Sequence, residues 1–315
     1  MHILGFDVGG TKSIVGAADE SGSVVAMKRI ETEGRLGPAQ ALARMKAAAH
    51  EVVDQAGVPV DLIGIGCGGP LDRKSGTLYT IPNLPGWEGI CLTREFGDEF
   101  GVPAYLENDA NAAAMGEHLF GAGRGVDDFV FLIVGTGIGG GIVANGRIYR
   151  GHGENAGEIG HHKIRPDGPP CPCGDRGCLE SLASGTSIAR TAREGLASKP
   201  KTILTDWIAS PDDVTAEMVA RAAKEGDEFA SRVWSGCMLD LGIGVANIVN
   251  ILNPRMVILG GGVTKAGDML FEPVRKVVRE RAMPALAADV EIVPAGNGDL
   301  MGLMGAFAVA LDAAR

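Results

Sequence analysis

Short apolar runs bounded by glycine-rich turns alternate along this chain with longer stretches of helical periodicity. Apolar runs of about four to eight residues are typical of buried strands, whereas apolar positions three and four residues apart indicate amphipathic helices. The pattern predicts strands over residues 2–6, 13–18, 62–66, 102–106, 129–134, 142–144 and 256–259. It predicts helices over residues 36–56, 186–200, 215–228, 229–252 and 299–315. This interleaving predicts an α/β fold.

A unit of strand, glycine-rich turn and second strand occurs twice, which indicates a weak internal duplication. The first turn reads D7-V-G-G-T-K12 and the second reads G135-T-G-I-G-G-G141. Two α/β units, each with one glycine-rich hairpin, account for this repeat. The glycine-rich segment G121-A-G-R-G125 interrupts the periodic pattern, so we expect the boundary between the units near residues 108–125.

Composition and charge argue against some classes of binding partner. A net charge of −10 without any Lys/Arg block argues against nucleic acid and anionic membranes as partners. The 48 glycines among 315 residues exceed the usual share of about 7% and favour turns that approach ligands closely. The N-terminus is unlike a signal peptide, and the apolar run 241–252 is too short to span a membrane. We therefore expect a cytoplasmic protein.

Three of the six cysteines lie close together and form a candidate metal site. Cys171, Cys173 and Cys178 follow His161, and one imidazole with three thiolates suits the closed tetrahedral shell of a structural Zn²⁺. Cytoplasmic thiols stay reduced, which favours a metal over a disulfide. His162 is a rival ligand that spacing alone does not exclude. We predict that the remaining cysteines are small core residues: Cys67, Cys91 and Cys237.

The first glycine-rich turn is a candidate phosphate cradle. Backbone N–H groups of Gly9 and Gly10 suit an anion, while Thr11 adds a hydroxyl and Lys12 a positive charge. Asp7 at the end of the first strand suits Mg²⁺, often through water. The alternative is an ordinary hairpin turn, and the spacing of a Walker A loop is absent.

Two further glycine runs extend this interpretation. The second turn is a second candidate phosphate cradle, with these phosphate-binding residues: Gly135, Thr136, Gly137 and Gly139. The run G260-G-G262 follows a buried strand, and we expect Gly261 and Gly262 to pass close to an adenine or ribose. Two such hairpins in paired units suit a nucleotide polyphosphate.

Acidic and amide side chains crowd the end of the strand predicted over residues 102–106. In E107-N-D109, Asn108 and Asp109 precede an alanine-rich helix, so helix capping is one explanation. In an α/β protein, however, strand ends are the usual ligand crevice. An Asn–Asp pair there can bind a sugar hydroxyl and remove its proton. Glu158 and Glu180 flank the cysteine segment, where a metal would fix the position of both carboxylates.

Together these motifs resemble the ROK family (repressors, open reading frames and kinases). The segments that carry the resemblance stand in the family's order: D7-V-G-G-T-K12, E107-N-D109, V134-G-T-G-I-G-G-G141, G157-E-I-G-H161 and C171-P-C-G-D-R-G-C178-L-E180. The resemblance covers essentially the whole chain. The resemblance implies an α/β, two-domain, actin-like ATPase fold of the hexokinase type, related to ribonuclease H, with a central cleft. It places a small N-terminal domain at residues 1–115, completed by a helix at 300–315, and a large domain with the zinc knuckle at 116–299.

By this resemblance, the reaction is ATP-dependent phosphorylation of a hexose, with Asp109 as the base that acts on the 6-hydroxyl. The resemblance implies these sugar-binding residues: Gly69, Asn83, Asn108, Asp109, Glu158, His161 and Glu180. It implies these zinc ligands: His161, Cys171, Cys173 and Cys178. Residues 5–12 and 134–141 match the family's ATP-phosphate segments. The implied cofactors are ATP, Mg²⁺ and a structural Zn²⁺, and the implied assembly is a homodimer or a dimer of dimers.

Several alternatives remain open from the sequence. Glucose is the expected hexose, because P82-N-L-P-G-W87 and G157-E-I-G-H161 resemble the glucokinase branch. Mannose, fructose, N-acetylglucosamine and N-acetylmannosamine are the other candidates, and polyphosphate is a second possible donor. A non-catalytic, sugar-sensing regulator is the alternative from another class; the acidic charge and Asp109 argue against it. We expect zinc loss to weaken sugar binding more than ATP binding.

Overall fold

A computed structural model describes residues 1–81 and 84–314 as an α/β protein. The strands are β1 His2–Val8, β2 Lys12–Asp19, β3 Val24–Glu31, β4 Leu62–Cys67, β5 Leu71–Asp72, β6 Thr77–Leu78, β7 Ala104–Asn108, β8 Phe129–Val134, β9 Ile138–Ala144, β10 Arg147–Ile148, β11 Met256–Gly260 and β12 Glu291–Pro294. The helices are α1 Pro38–Ala56, α2 Leu92–Phe100, α3 Asp109–Phe120, α4 Leu179–Ala183, α5 Gly185–Leu196, α6 Leu204–Trp207, α7 Ala216–Lys224, α8 Glu228–Leu252, α9 Asp268–Arg281, α10 Pro284–Asp289 and α11 Met301–Ala313.

The chain divides into two compact units. The first contains Met1–Asp127, Gly141–Gly157 and the C-terminal segment from Ala295, and the second contains Asp128–Gly140 and Glu158–Pro294. One of the four boundaries between these segments, at Gly140 and Gly141, falls within β9. The predicted folding domains, 1–115 with 300–315 and 116–299, stay a prediction.

In the first unit, a five-stranded sheet is covered by helices on both faces. The strand order is β3-β2-β1-β4-β7, with β1, β4 and β7 parallel and β2 antiparallel to both of its neighbours. Side chains of β1 alternate between the faces. Phe6 joins a core with α1 and α2, whereas Ile3 joins a core with Phe307 of α11. Because the three parallel strands end at one edge, the residues that follow them are brought together there.

In the second unit, β8, β11 and β12 are parallel neighbours in a sheet of order β10-β9-β8-β11-β12. Its longest helix, α8, is long and apolar enough to cross a membrane by length and composition, and 56% of the apolar window is buried. It begins well before the apolar run 241–252, and Asp240 near its middle pairs with Arg165 at 2.8 Å. Buried side chains such as Trp234 and Leu241 are typical of a core helix.

The element boundaries differ from the predicted ones where glycine or charged residues obscure the pattern. The strand predicted over 142–144 begins at Ile138, because residues of G135-T-G-I-G-G-G141 belong to β9 itself. Cys67 and Cys237 are buried as predicted, but Cys91 is only partly buried. Cys91 stands at the N-cap of α2, where its Sγ contacts the Ser75 carbonyl at 3.1 Å rather than a core.

Candidate functional site

Asp7 near the end of β1, Asn108 at the end of β7 and Asp109 directly after it lie at the carboxyl ends of the parallel strands of the first unit. Asp7 lies opposite Gly66 in the register of β1 and β4, and Asn108 lies opposite Cys67. Asn108 caps α3, since its Oδ1 accepts from the N–H groups of Ala110 (3.0 Å) and Asn111 (3.2 Å). The helix-capping role therefore falls to Asn108. Its Nδ2 faces Gly69, where an added Cβ would lie 3.3 Å away.

Asp109 begins α3 with a carboxylate that the helix holds in place. Its Oδ1 accepts from the Ala110 N–H at 2.8 Å, and its Oδ2 lies on the side of Gly68. The side chain is open to solvent, yet surrounding protein raises its pKa. A pKa raised in this direction favours a carboxylate that takes up a proton more readily than an ordinary aspartate does.

Asp7 is a second carboxyl group with a raised pKa. Burial and, to a smaller extent, the nearby Asp109 charge together raise the pKa of Asp7 to about 6, against the opposing effect of Arg29. Gly302 of α11 packs against this carboxylate, and a Cβ at that position would collide with it. Two nearby carboxylates that disfavour each other's charge suit a bound divalent cation.

An ion pair between the buried Glu107 and Arg150 holds the Asn108–Asp109 segment in place. Glu107 is 2% exposed, and its Oε2 accepts from Arg150 Nε at 2.7 Å. Its Oε1 accepts from the Asn108 N–H at 3.0 Å and from Asn111 Nδ2 at 3.3 Å. Glu107 therefore fixes both the backbone of Asn108 and the first turn of α3.

Replacing Arg150 by methionine should destabilise the first unit. The change leaves the Glu107 carboxylate buried without its cation, and removing one partner of a buried pair costs about 3–5 kcal/mol. Arg150 is itself partly exposed, so we expect the lower end of that range. Urea unfolding would measure it, with the surface substitution Arg147→Met as control. An unchanged midpoint for Arg150→Met would contradict the supporting role.

In the second unit, His161 and three cysteines form a compact group. Their ligand atoms all lie within 4.8 Å of one another. The Sγ atoms of Cys173 and Cys178 are 3.6 Å apart, and Cys171 Sγ lies 3.5 Å from His161 Nδ1. Tetrahedral zinc with bonds of about 2.3 Å to sulfur and about 2.0 Å to nitrogen requires separations of about 3.5–3.8 Å. The donor set therefore fits Zn²⁺, and the two measured pairs have the separations that tetrahedral zinc requires.

The neighbours of this group distinguish the two histidines. His162 Nδ1 contacts the Ile159 carbonyl at 2.5 Å, so His161 rather than His162 joins the cysteines. The other ring nitrogen of His161, Nε2, lies 3.9 Å from the Glu158 carboxylate. Lys163 Nζ contacts Cys178 Sγ at 3.0 Å and Asp175 at 2.9 Å, where it would offset thiolate charge.

The glycine-rich turns have different surroundings. In the first, between β1 and β2, Thr11 and Lys12 are exposed, and Lys12 Nζ lies 3.6 Å from Glu31. In the second, the Ile138 N–H donates to Glu180 Oε2 at 2.8 Å. The predicted sugar ligand Glu180 therefore contacts the predicted phosphate loop.

Two glycines that were predicted to contact the nucleotide follow a strand of the second unit. Gly261 and Gly262 follow β11, and the φ angle of 93° at Gly261 lies in the left-handed region that favours glycine. The predicted sugar ligand Asn83 lies outside the described residues.

The sequence matches the ROK family over residues 3–313. The chain belongs to the ROK family. A glucokinase from Thermotoga maritima is 37% identical over 98% of this chain and 97% of its own. The crystal structure of a ROK hexokinase from Thermus thermophilus has a TM-score of 0.83 and 33% identity, covering 100% of this chain and 99% of that one. A ROK family glucokinase from Streptomyces griseus in complex with glucose and AMPPNP has a TM-score of 0.85 and 32% identity, covering 99% and 100%.

Membership of the ROK family confirms the predicted actin-like ATPase fold. The first two motifs that carried the resemblance lie in the first unit, and the others lie in the second unit except for Gly141 and Gly157. Arg150 and Lys163 were missed by the motif analysis, although each contacts a motif residue. Arg150 had no local signal, because its partner Glu107 is 43 positions away. Lys163, two residues after His161, could have been noticed as a cation beside the cysteine segment.

Proposed function

We propose that this protein is an ATP-dependent hexose kinase that transfers the γ-phosphate of ATP to the 6-hydroxyl of glucose. The observation that carries the proposal is Asp109, a carboxylate with a raised pKa at the start of α3, in a chain 37% identical to a glucokinase. The glucose and AMPPNP bound to the Streptomyces griseus glucokinase support both substrates.

In this proposal, Asp109 accepts the proton of the sugar hydroxyl as the oxygen attacks phosphorus. Its Oδ1 is engaged by the Ala110 N–H, so we assign the proton to Oδ2. Asn108, Glu158, His161 and Glu180 hold the sugar hydroxyls, and Gly69 lets Asn108 approach. We extend the sugar-binding role to Asn83 by the family resemblance alone. Positioning of the hydroxyl and neutralisation of phosphate charge supply most of the rate in phosphoryl transfer.

The phosphates of ATP are assigned to the turn that contains Gly9, Gly10, Thr11 and Lys12, and to the loop from Gly135 to Gly139. Lys12 lies only loosely against Glu31 and is exposed, so its charge is available to an anion. Asp7 is the carboxylate that would hold Mg²⁺, which supplies charge neutralisation when bound, and this leaves Asp109 free to act as the base. Gly261 and Gly262 are assigned to the adenosine.

A structural Zn²⁺ is assigned to His161, Cys171, Cys173 and Cys178. With Nδ1 directed at the thiols, His161 presents Nε2 toward Glu158, which leaves that nitrogen for a sugar hydroxyl. The zinc would thereby set the orientation of a sugar-binding imidazole.

A panel of sugars tests the proposal directly. Glucose, mannose, fructose, N-acetylglucosamine and N-acetylmannosamine are each supplied with ATP and Mg²⁺, and kcat/KM is measured by ADP release. We expect glucose to exceed each other sugar by at least about tenfold, since a site that pairs a specific hydroxyl rejects sugars that misplace it. A parallel series with polyphosphate tests the donor. Sugar binding without ADP release would instead support the alternative function, that of a non-catalytic, sugar-sensing regulator.

The remaining assignments concern assembly and location. We propose a homodimer or a dimer of dimers, which light scattering would test. We also propose a cytoplasmic location, in keeping with six cysteines that form no disulfide among the described residues.

A further inference from the structure

We propose that Glu180 couples the hexose site to the ATP-phosphate loop, so that sugar binding through this carboxylate strengthens nucleotide binding. The inference rests on the proposed function and adds to Glu180 a second role, that of a positioning residue for residues 135–139.

The contact between Glu180 and the loop is a single, well-defined hydrogen bond. The Ile138 N–H donates to Glu180 Oε2 at 2.8 Å, and Ile138 is 4% exposed. Hydrogen bonds to a charged acceptor are about twice as strong as neutral ones. Gly137 precedes the donor, and a Cβ at that position would collide with the Glu180 carboxylate. The loop therefore lies directly against this side chain.

Two hydrogen bonds also hold the backbone of Glu180 in place. Its carbonyl accepts from the buried Ser187 hydroxyl at 2.7 Å and from the Ser184 N–H at 3.2 Å. The Gly185 N–H donates to the Gly135 carbonyl at 2.8 Å. Two hydrogen bonds, one at each end of the turn, thus attach residues 135–138 to the segment 180–187. This segment begins two residues after Cys178, the last candidate zinc ligand.

This arrangement predicts reciprocal coupling. A sugar hydroxyl donating to the same carboxylate would restrict Glu180 and, through Ile138, the loop that holds the phosphates. Nucleotide then binds a loop that is already ordered, and by linkage the nucleotide strengthens sugar binding by the same factor. Coupling of this kind is typically about 5–150-fold.

Two substitutions at Glu180 separate its roles. Glu180→Gln keeps an oxygen that accepts from the Ile138 N–H, whereas Glu180→Ala removes the acceptor. The dissociation constant of AMPPNP is measured with and without saturating glucose by calorimetry. For Glu180→Ala we expect nucleotide affinity without glucose to fall about tenfold and the effect of glucose to disappear. For Glu180→Gln we expect nucleotide affinity without glucose to stay within about threefold of wild type.

Gly137→Ala tests the same contact without altering Glu180. Its methyl group would displace the carboxylate, so it should weaken nucleotide binding and reduce the coupling as Glu180→Ala does. Gly236→Ala is the matched control, because nothing lies within 4 Å of a Cβ there. Bound zinc and the thermal midpoint are recorded for every variant, so that misfolding is recognised.

The outcomes are distinct. The inference is overturned if wild-type protein shows no effect of glucose on nucleotide affinity. It is also overturned if Glu180→Ala keeps wild-type affinity and coupling, or if Glu180→Gln loses as much affinity without glucose as Glu180→Ala. Absence of sugar phosphorylation by the wild type would instead contradict the proposed function, since the coupling is measured by binding alone.

Discussion

Replacing Asp109 by asparagine is expected to lower kcat by roughly 10²–10⁴-fold, the usual contribution of a positioned general base. Asparagine has the same shape and can still accept from the Ala110 N–H through its Oδ1, so α3 keeps its first turn. It cannot take up the hydroxyl proton at neutral pH. We expect the KM for glucose to change by less than about threefold, because binding and proton removal are separate roles.

Stability provides an independent check on the same variant. The surrounding protein raises the pKa of Asp109, which means that the charged form is disfavoured in the folded state. Removing the charge should therefore leave the thermal midpoint unchanged or raise it while activity falls. The control is Asp98→Asn, an exposed aspartate on α2, which should retain wild-type kinetics. Wild-type kcat in Asp109→Asn would contradict the assignment of the base.

Local sequence patterns predicted the parts of the site whose residues are close in the chain. The proposed zinc group spans only residues 161–178, and E107-N-D109 is contiguous, so residue type and spacing were sufficient to propose both. Spacing could not choose between His161 and His162. A hydrogen bond from His162 Nδ1 to the Ile159 carbonyl decides between them, and such a bond depends on the turn geometry at residues 159–161.

Contacts between distant segments could not be predicted in this way. Glu107 pairs with Arg150 and Glu180 with Ile138, in each case across more than 40 positions of sequence. These pairs depend on how strands and helices pack, which hydrophobic periodicity does not encode. The same limitation applies to Asp7, whose raised pKa depends on burial and on Asp109. Asp109 follows β7, which is two strands from β1 in the sheet.

Loss of the proposed zinc is expected to have the second large effect, and the contact at Glu180 changes its expected form. Cys171→Ser, or treatment with a chelator, removes the restraint on His161 and on the segment that follows Cys178. The KM for glucose should rise at least about tenfold, because Glu158, His161 and Glu180 lose their fixed positions. The second unit should also unfold at lower temperature, since metal binding contributes to folding.

The sequence alone predicted that zinc loss weakens ATP binding less than sugar binding, and the hydrogen bond from the Ile138 N–H to Glu180 now predicts a clear effect on ATP binding too. Because α4 begins immediately after Cys178, a displaced knuckle moves Glu180 and releases the phosphate loop, so the KM for ATP should rise as well. Cys91→Ser is the matched control, a partly buried cysteine outside the zinc group. The zinc content of each sample is measured together with the two affinities. If the affinity for both substrates is unchanged after metal loss, the zinc group stabilises only its own segment. Weakened glucose binding with intact ATP binding would instead separate the zinc from the loop, because Glu180 could then hold Ile138 without help from the knuckle.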